Sequence, residues 1–119
     1  MRSKLGRWGE AFAAAYLQRK HCVIQARNYH SRYGEIDIVA SNEVHLIFLE
    51  VKTRKKDAMV GPLAAVTLSK QIKLIKTAQL YLLAHPTLLQ PRFDVMGLIM
   101  TPLGEMQQYE YIKNAFSIH

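Results

Sequence analysis

The amino-acid sequence predicts an α/β protein in which a mixed β-sheet is flanked by helices. Two amphipathic stretches, residues 5–20 and 67–84, carry apolar residues at helical spacing and are separated by short apolar runs of strand length. The order along the chain is helix, three strands, helix, two strands, which favours a sheet with helices packed on it. We expect the 119 residues to form a single domain, because that length supports one hydrophobic core and no repeat divides it.

The individual elements follow from the same patterns. The first helix places Trp8, Phe12 and Tyr16 on one side, and the second is expected to begin at a Thr67 or Ser69 cap and to pack Ile72 inward. Residues 27–34 and 53–66 are polar and are expected to be loops. Strands are expected at residues 22–26, 35–40, 44–52, 93–100 and 106–112, the last of them polar enough for a sheet edge.

The second and third strands are expected to form a hairpin that brings two acids together. A turn at Asn42 and Glu43 would put Asp37 opposite Phe48. Asp37 and Glu50 would then be diagonal neighbours on one face, roughly 7–8 Å apart at their backbones. A slip of one residue would move them to opposite faces, so the site depends on this register.

Composition points to a polyanionic partner. The formal net charge is +7, which favours nucleic acid or an anionic surface. The single cysteine, Cys22, excludes an internal disulfide and suits a reducing cytoplasm, where we expect the protein to act. No stretch approaches the ~18 apolar residues of a membrane-spanning helix, and the basic N-terminus lacks the apolar core of a signal peptide.

Asp37, Glu50 and Lys52 interrupt apolar strands, and charged side chains are rarely buried unless paired or bound to a metal. Two carboxylates and the Val51 carbonyl would suffice for Mg²⁺ or Mn²⁺, which prefer hard oxygen ligands and retain water. Such an ion neutralises a phosphodiester and lowers the pKa of a bound water, while Lys52 could orient the attacking water. The alternative is a buried ion-pair network with a purely structural role.

The pattern Asp37…Glu50-x-Lys52 matches the signature of the PD-(D/E)xK nuclease superfamily. Beyond it, the chain resembles the YraN family of small bacterial proteins over nearly its whole length. The resemblance rests on Gly6-Arg7-Trp8-Gly9-Glu10, Asn28, Gly34-Glu35-Ile36-Asp37-Ile38-Val39-Ala40, Phe48-Leu49-Glu50-Val51-Lys52-Thr53-Arg54 and Arg92-Phe93-Asp94-Val95. It implies a restriction-endonuclease-like core similar to archaeal Holliday junction resolvases. It also implies that Asp37, Glu50 and Lys52 are the catalytic residues.

The same resemblance implies that Glu10 adds a first-helix acid to the metal site, although Glu10 could instead serve the helix dipole. It implies an Mg²⁺- or Mn²⁺-dependent DNA endonuclease that acts on branched or structured DNA in repair or recombination. Symmetric junction cutting would need two active sites, hence a homodimer. Contacts to DNA phosphates, independent of sequence, are expected from Arg32, Arg54, Lys55, Lys56 and Lys70.

Two other functions fit the same residues. A non-catalytic module with a nuclease-like fold would bind nucleic acid with similar salt sensitivity but without turnover. An interaction protein with an acidic partner would show no DNA affinity at moderate salt. Several site residues also have simpler explanations: Arg54, Lys55, Lys56 and Lys70 as solvated cations, Glu35 as a partner of Arg32, and Asp94 as the partner of a base.

Overall fold

The computed structural model describes residues 3–55 and 64–117. Its elements are α1 (Lys4–Arg19), β1 (Val23–Ser31), β2 (Gly34–Ser41), β3 (His45–Arg54), α2 (Leu68–Ala84), β4 (Gln90–Met100) and β5 (Met106–Phe116). The five strands form one sheet in the order β1-β2-β3-β4-β5, in which β3 and β4 are parallel and the other neighbours antiparallel. The predicted mixed sheet flanked by helices is confirmed, and its topology is compatible with a restriction-endonuclease-like core.

Each helix begins at a hydroxyl cap and covers one face of the sheet. The Ser3 Oγ accepts from the Gly6 N–H at 2.9 Å, and the Thr67 Oγ1 accepts from the Lys70 N–H at 3.3 Å. Thr67 is therefore the cap of α2, where Thr67 and Ser69 had been equal candidates. The prediction that Ile72 packs inward is wrong: Ile72 is 46% exposed, and Leu74 is buried instead.

The sheet separates two hydrophobic clusters. The α1-side core contains the buried residues Ala13, Leu17, Ile38, Ala40, Ile47, Leu49, Met96 and Leu98. The α2-side core contains the buried residues Ile36, Val39, Phe48, Leu74, Ala78, Tyr81, Phe93 and Val95. Because β2, β3 and β4 supply residues to both clusters, these three strands form the buried centre of the sheet.

The prediction of a loop at residues 27–34 is wrong, since β1 continues to Ser31 and only Arg32 and Tyr33 separate it from β2. β1 is an edge strand, and its residues alternate between exposed and partly buried over most of its length. Such a strand tolerates polar and basic residues on its open face, and this composition resembles that of a loop.

The hairpin between β2 and β3 forms, but its turn lies one residue later than predicted. The Asn42 side chain accepts from the backbone N–H groups of Val44 and His45, at 2.9 and 2.7 Å, and therefore sits before the turn. This side-chain turn is one that Asn makes readily. The pairing becomes Val39 opposite Phe48, a shift of two residues that keeps every side chain on its predicted face.

β4 and β5 both extend beyond the predicted strands. β4 begins at Gln90, beside His45 of the parallel β3, and β5 runs on to Phe116. The predicted edge position of the last strand is confirmed. Within the described ranges, neither helix is long and apolar enough to cross a membrane.

Candidate functional site

Asp37 lies where the ladder between β2 and β3 ends. The last paired residues are Ile38 and Leu49, and one further step along this register brings Asp37 opposite Glu50. There the Asp37 Oδ2 accepts a hydrogen bond from the Val51 N–H at 2.7 Å. A carboxylate thus takes a backbone donor that a continuing ladder would otherwise use. Asp37 and Glu50 are directly opposite each other, and not diagonal as predicted.

The side-chain alternation of β2 changes at Asp37. Ile36 packs in the α2-side core and Ile38 in the α1-side core, although residues two apart share a face in a regular strand. The register on either side puts Asn28 of β1 opposite Asp37, and Asn28 has a φ of 54°, a left-handed value that Asn tolerates well. The Asn28 Nδ2 donates to the Glu10 Oε1 of α1 at 2.8 Å.

Burial and its neighbours keep a proton on the Asp37 carboxyl. Burial is the largest of the effects that raise the pKa of Asp37 to about 8, followed by the hydrogen bond with the Glu50 carboxyl and the charge of Glu50. The Val51 N–H lowers this pKa, and the charge of Glu10 raises it. Two carboxyls this close cannot both ionise easily, so the pair shares a proton near neutral pH.

Two ammonium groups lie against the same carboxylate. The Lys52 Nζ is 3.3 Å from the Glu50 Oε2, and the Lys70 Nζ, which comes from α2, is 3.8 Å from that oxygen. The pKa of Lys70 is lowered by burial and by the adjacent Lys52 ammonium, while Glu50 and Asp37 oppose the shift. The predicted phosphate-binding Lys70 and the predicted catalytic pair Glu50 and Lys52 are therefore in direct contact.

Close packing of α1 on β3 brings Glu10 to the acidic pair. Glu10 is only 7% exposed. Its helical neighbour Gly9 faces Thr53, and a Cβ at Gly9 would lie 1.9 Å from the Thr53 Oγ1. Only a glycine lets the helix approach this closely, so Gly9 sets the depth at which Glu10 sits.

The acids form a pair rather than a three-carboxylate cluster. Within residues 3–55 and 64–117, no three His, Cys, Asp or Glu side chains are grouped closely enough to hold an ion together. Asp37 and Glu50 nevertheless fit a hard divalent cation, which keeps several waters and binds through one or two carboxylates. Their mutual repulsion also favours such an ion, since a cation can replace the shared proton.

The other predicted DNA-binding residues are not in contact with the acids. Arg54 and Lys55 are exposed at and just after the end of β3, and Lys56 lies outside the described residues. Arg32 sits in the β1–β2 turn, where its Nη2 donates to the Tyr33 hydroxyl at 2.9 Å. His30 is a partner of Glu35, with the His30 Nδ1 at 3.3 Å from the Glu35 Oε2.

Asp94 belongs to a separate buried network, as its proposed pairing with a base predicted. Arg92 binds it through two bonds, Nε to Oδ1 at 3.0 Å and Nη2 to Oδ2 at 2.9 Å. The Tyr111 hydroxyl and the Asn114 N–H also donate to it, at 2.5 and 3.0 Å. Every oxygen of this fully buried carboxylate is thus satisfied within β4 and β5, which explains Asp94 structurally.

Sequence reasoning gave no role to Gly9, Asn28 or Thr53, although the first two lie within the motifs of the resemblance. The available signals were a glycine inside a helix and an asparagine inside an alternating strand, because both residue types weaken those elements unless the geometry requires them. Neither signal reveals its spatial partner, which depends on how α1 docks on the sheet.

Comparison with known proteins identifies close relatives. The model of the family described as "Uncharacterised protein family UPF0102" matches residues 9–98. A UPF0102 protein of Clostridium botulinum (strain Loch Maree / Type A3) is 40% identical over 116 residues, covering 96% of this chain and 94% of the relative. UPF0102 proteins of Dictyoglomus turgidum and Chlorobium chlorochromatii are 37% and 42% identical, each over 95% of this chain and over 97% and 91% of their own lengths. The region matched by the family model contains Glu10, Asp37, Glu50, Lys52 and Lys70.

Proposed function

The chain belongs to the UPF0102 family, also called the YraN family, and from its acidic pair we propose that it is a metal-dependent DNA endonuclease. The observation that carries the proposal is the Asp37–Glu50 pair. Its two carboxyls share a proton at the end of a ladder, and two lysines lie against it. Strongly perturbed acids grouped with cations are typical of catalytic sites.

Mg²⁺ or Mn²⁺ is the proposed cofactor, held by Asp37, Glu50 and the Val51 carbonyl. When bound, such an ion neutralises charge on the phosphodiester and makes water a better nucleophile. Hydrogen bonding to the Val51 N–H fixes the Asp37 carboxylate in position. Glu10, oriented by Asn28, adds negative charge behind the pair and favours a cation there.

The lysines are proposed to handle the phosphate. Lys52 is the catalytic ammonium, which leaves Glu50 to orient the attacking water or to stabilise the developing charge on phosphate oxygens. Lys70 supplies a second ammonium from α2, on the same side of Glu50. We propose that Arg54, Lys55 and Lys56 extend the phosphate contacts without reading sequence.

The proposed substrates are branched or structured DNAs met in repair or recombination in the cytoplasm. Cutting both strands of a junction would need a second active site, so we propose that the protein acts on junctions as a homodimer. The net charge of +7 supports a polyanionic substrate.

A cleavage assay tests the proposal. Labelled duplex, single-stranded, flapped and four-way-junction DNAs are incubated with the protein and Mn²⁺, Mg²⁺ or chelator, with Asp37→Ala alongside. We expect metal-dependent products that Asp37→Ala does not form. The absence of cleavage on all four DNAs with either metal would contradict the proposal.

Glu50→Gln and Lys52→Met separate chemistry from binding. Each variant should slow cleavage by at least about 100-fold, a typical loss when a catalytic acid, base or charge stabiliser is removed. DNA affinity measured in chelator should stay within about threefold, because most of the affinity comes from other phosphate contacts. Normal turnover by Lys52→Met would remove Lys52 from the mechanism.

A non-catalytic nucleic-acid-binding module is the second candidate. It is favoured by one observation: the Glu50 Oε2 already has two ammonium partners, at 3.3 and 3.8 Å, which could hold the acid in a closed ion-pair network. In that case the protein binds structured DNA in a salt-sensitive way, and neither metal produces cleavage.

A further inference from the structure

A second candidate binding surface lies beside the acidic pair, between the β1–β2 turn and α2. It is an open groove of about 590 Å³, here called the Tyr33 groove. The lining residues used below are Arg32, Tyr33, Leu68, Ile72, Lys73 and Lys76. None of the lining residues in the described part of the chain is acidic. The groove therefore complements a polyanion.

The groove combines cations with an aromatic ring. The Arg32 guanidinium lies 4.9 Å from the centre of the Tyr33 ring, and the Lys76 ammonium lies 5.1 Å from it. Leu68 and Ile72 are 72% and 46% exposed. Phosphate contacts alone need only the cations, whereas a planar base can also stack on an aromatic–guanidinium platform and contact apolar side chains.

A chain of hydroxyl hydrogen bonds holds this platform in place. The Thr77 hydroxyl donates to the Lys73 carbonyl at 2.9 Å, so the Ser31 hydroxyl, 2.7 Å away, donates to Thr77. The Ser31 Oγ in turn accepts from the Tyr33 N–H at 3.0 Å. Thr77 is fully buried, so the turn that carries Tyr33 is fixed on α2 before any ligand arrives.

A row of lysines connects the groove with the acidic pair. Lys70, Lys73 and Lys76 are three residues apart on α2 and therefore lie on neighbouring turns of one face. The Lys70 Nζ is 3.8 Å from the Glu50 Oε2, at one end of the row. At 1.5 Å per residue the row spans about 9 Å, or two to three phosphates of a strand at about 3.4 Å each.

We propose that the Tyr33 groove binds unpaired nucleotides of the DNA substrate, with one base on the Arg32–Tyr33 platform and the adjoining phosphates on Lys73 and Lys76. This inference rests on the proposed function, because it assigns the strand next to the cut. The platform favours single-stranded DNA over duplex, since bases in a duplex are stacked on each other and present only their edges. The preferred substrate is accordingly a duplex with a single-stranded arm.

Binding measured in chelator tests this inference without cleavage. Fluorescent DNAs of equal total nucleotide number are compared, one a blunt duplex and one with a single-stranded arm. Wild-type protein should prefer the armed DNA. Tyr33→Leu should weaken its binding by about tenfold or more, the loss typical of one stacked base, and change blunt-duplex binding by less than about threefold.

Matched variants control for folding and for general charge. Tyr33→Phe keeps the ring and should bind like wild type. Tyr109→Leu removes an exposed tyrosine from β5, at the far edge of the sheet, and should have no selective effect. Lys76→Gln should weaken the armed DNA more than Lys113→Gln, which removes an exposed lysine of β5.

Three results would overturn the inference: equal weakening of both DNAs by Tyr33→Leu, no weakening of either, or tighter binding of an RNA arm than of a DNA arm. Failure of the proposed function looks different. In that case selective binding of the armed DNA persists, but Mn²⁺ and Mg²⁺ produce no cleavage. Wild-type protein that binds neither DNA would refute both.

Discussion

Asp37 is the residue whose surroundings are hardest to explain by folding alone. Its carboxyl is largely buried, faces a second carboxyl on Glu50 and has a pKa raised to about 8. Buried charged groups are weak sources of stability, and two neighbouring acids repel each other. An arrangement that lowers stability in this way is better explained by a function that needs paired carboxylates.

The shared proton makes stability depend on pH. The pKa of Asp37 rises from 3.8 to about 8 on folding, so between these values the folded protein binds more protons than the unfolded chain. The stabilisation is complete below pH 3.8 and is lost as the pH rises through about 8. We expect metal-free protein to lose up to about 1.4 kcal/mol of unfolding free energy per pH unit in that interval from this group.

Urea denaturation at a series of pH values, with and without Asp37→Asn, measures this dependence. The variant should remove most of the decline and be the more stable protein at pH 8, because it cannot ionise. Exposed Glu43→Gln is the matched control and should leave the profile unchanged. Parallel profiles for wild type and Asp37→Asn would contradict the raised pKa.

Residue identity was sufficient to predict the pair but not its surroundings. Asp37, Glu50 and Lys52 stood out as charges within apolar strands, and the register error of two residues kept them on the expected faces. The bond from Asn28 to Glu10 was not predictable, because it depends on a left-handed backbone conformation and on where α1 docks.

At the scale of elements, the contact between α1 and β3 controls the site. Gly9→Ala should force α1 away from Thr53, since the added Cβ would lie 1.9 Å from the Thr53 Oγ1. We expect a loss of about 1–3 kcal/mol in unfolding free energy, typical of overpacking, measured by urea denaturation. Gly6→Ala lies in the same helix, where the nearest atom is the Ser3 Oγ at 3.2 Å, and should be tolerated far better.

A double variant shows whether the clash is the cause. Thr53→Ala removes the colliding oxygen, so Gly9→Ala should cost less in that background than in wild type. The same loss in both backgrounds would mean that the close approach of α1 does not depend on Gly9.

The sequence predicted the order and type of every described element, because each helix and each central strand has a strong apolar period. It failed where periodicity is weak. The second half of β1 is a polar edge strand, and it looked like a loop. The hairpin register depended on the Asn42 side chain accepting two backbone bonds, a detail that turn composition alone does not specify.

At the scale of the whole molecule, charge is separated from the acidic pair. The chain carries 16 Lys and Arg against 9 Asp and Glu, and Asp37, Glu50 and Glu10 are gathered at one place in the sheet. Cations on α2 and after β3 therefore surround a small acidic centre. This is the distribution expected of a protein that attracts phosphates to a metal.

Salt dependence tests that distribution. The logarithm of the DNA association constant should fall linearly with the logarithm of salt concentration, because phosphate contacts release counterions. Lys70→Gln should reduce the slope by about one, whereas Lys113→Gln on the distant β5 edge should leave it unchanged. Equal slopes for Lys70→Gln and wild type would exclude a phosphate contact by Lys70.

The central claim is that Asp37 and Glu50 hold a divalent cation that supports phosphodiester cleavage. Its most direct test is single-turnover cleavage of the preferred DNA by saturating wild type and Asp37→Asn, with Mn²⁺ and with chelator. We predict cleavage by wild type that chelator abolishes and a rate at least about 100-fold lower for Asp37→Asn, whose expected stability at pH 8 excludes misfolding as the cause. Equal rates for the two proteins, or cleavage in chelator, would contradict the account.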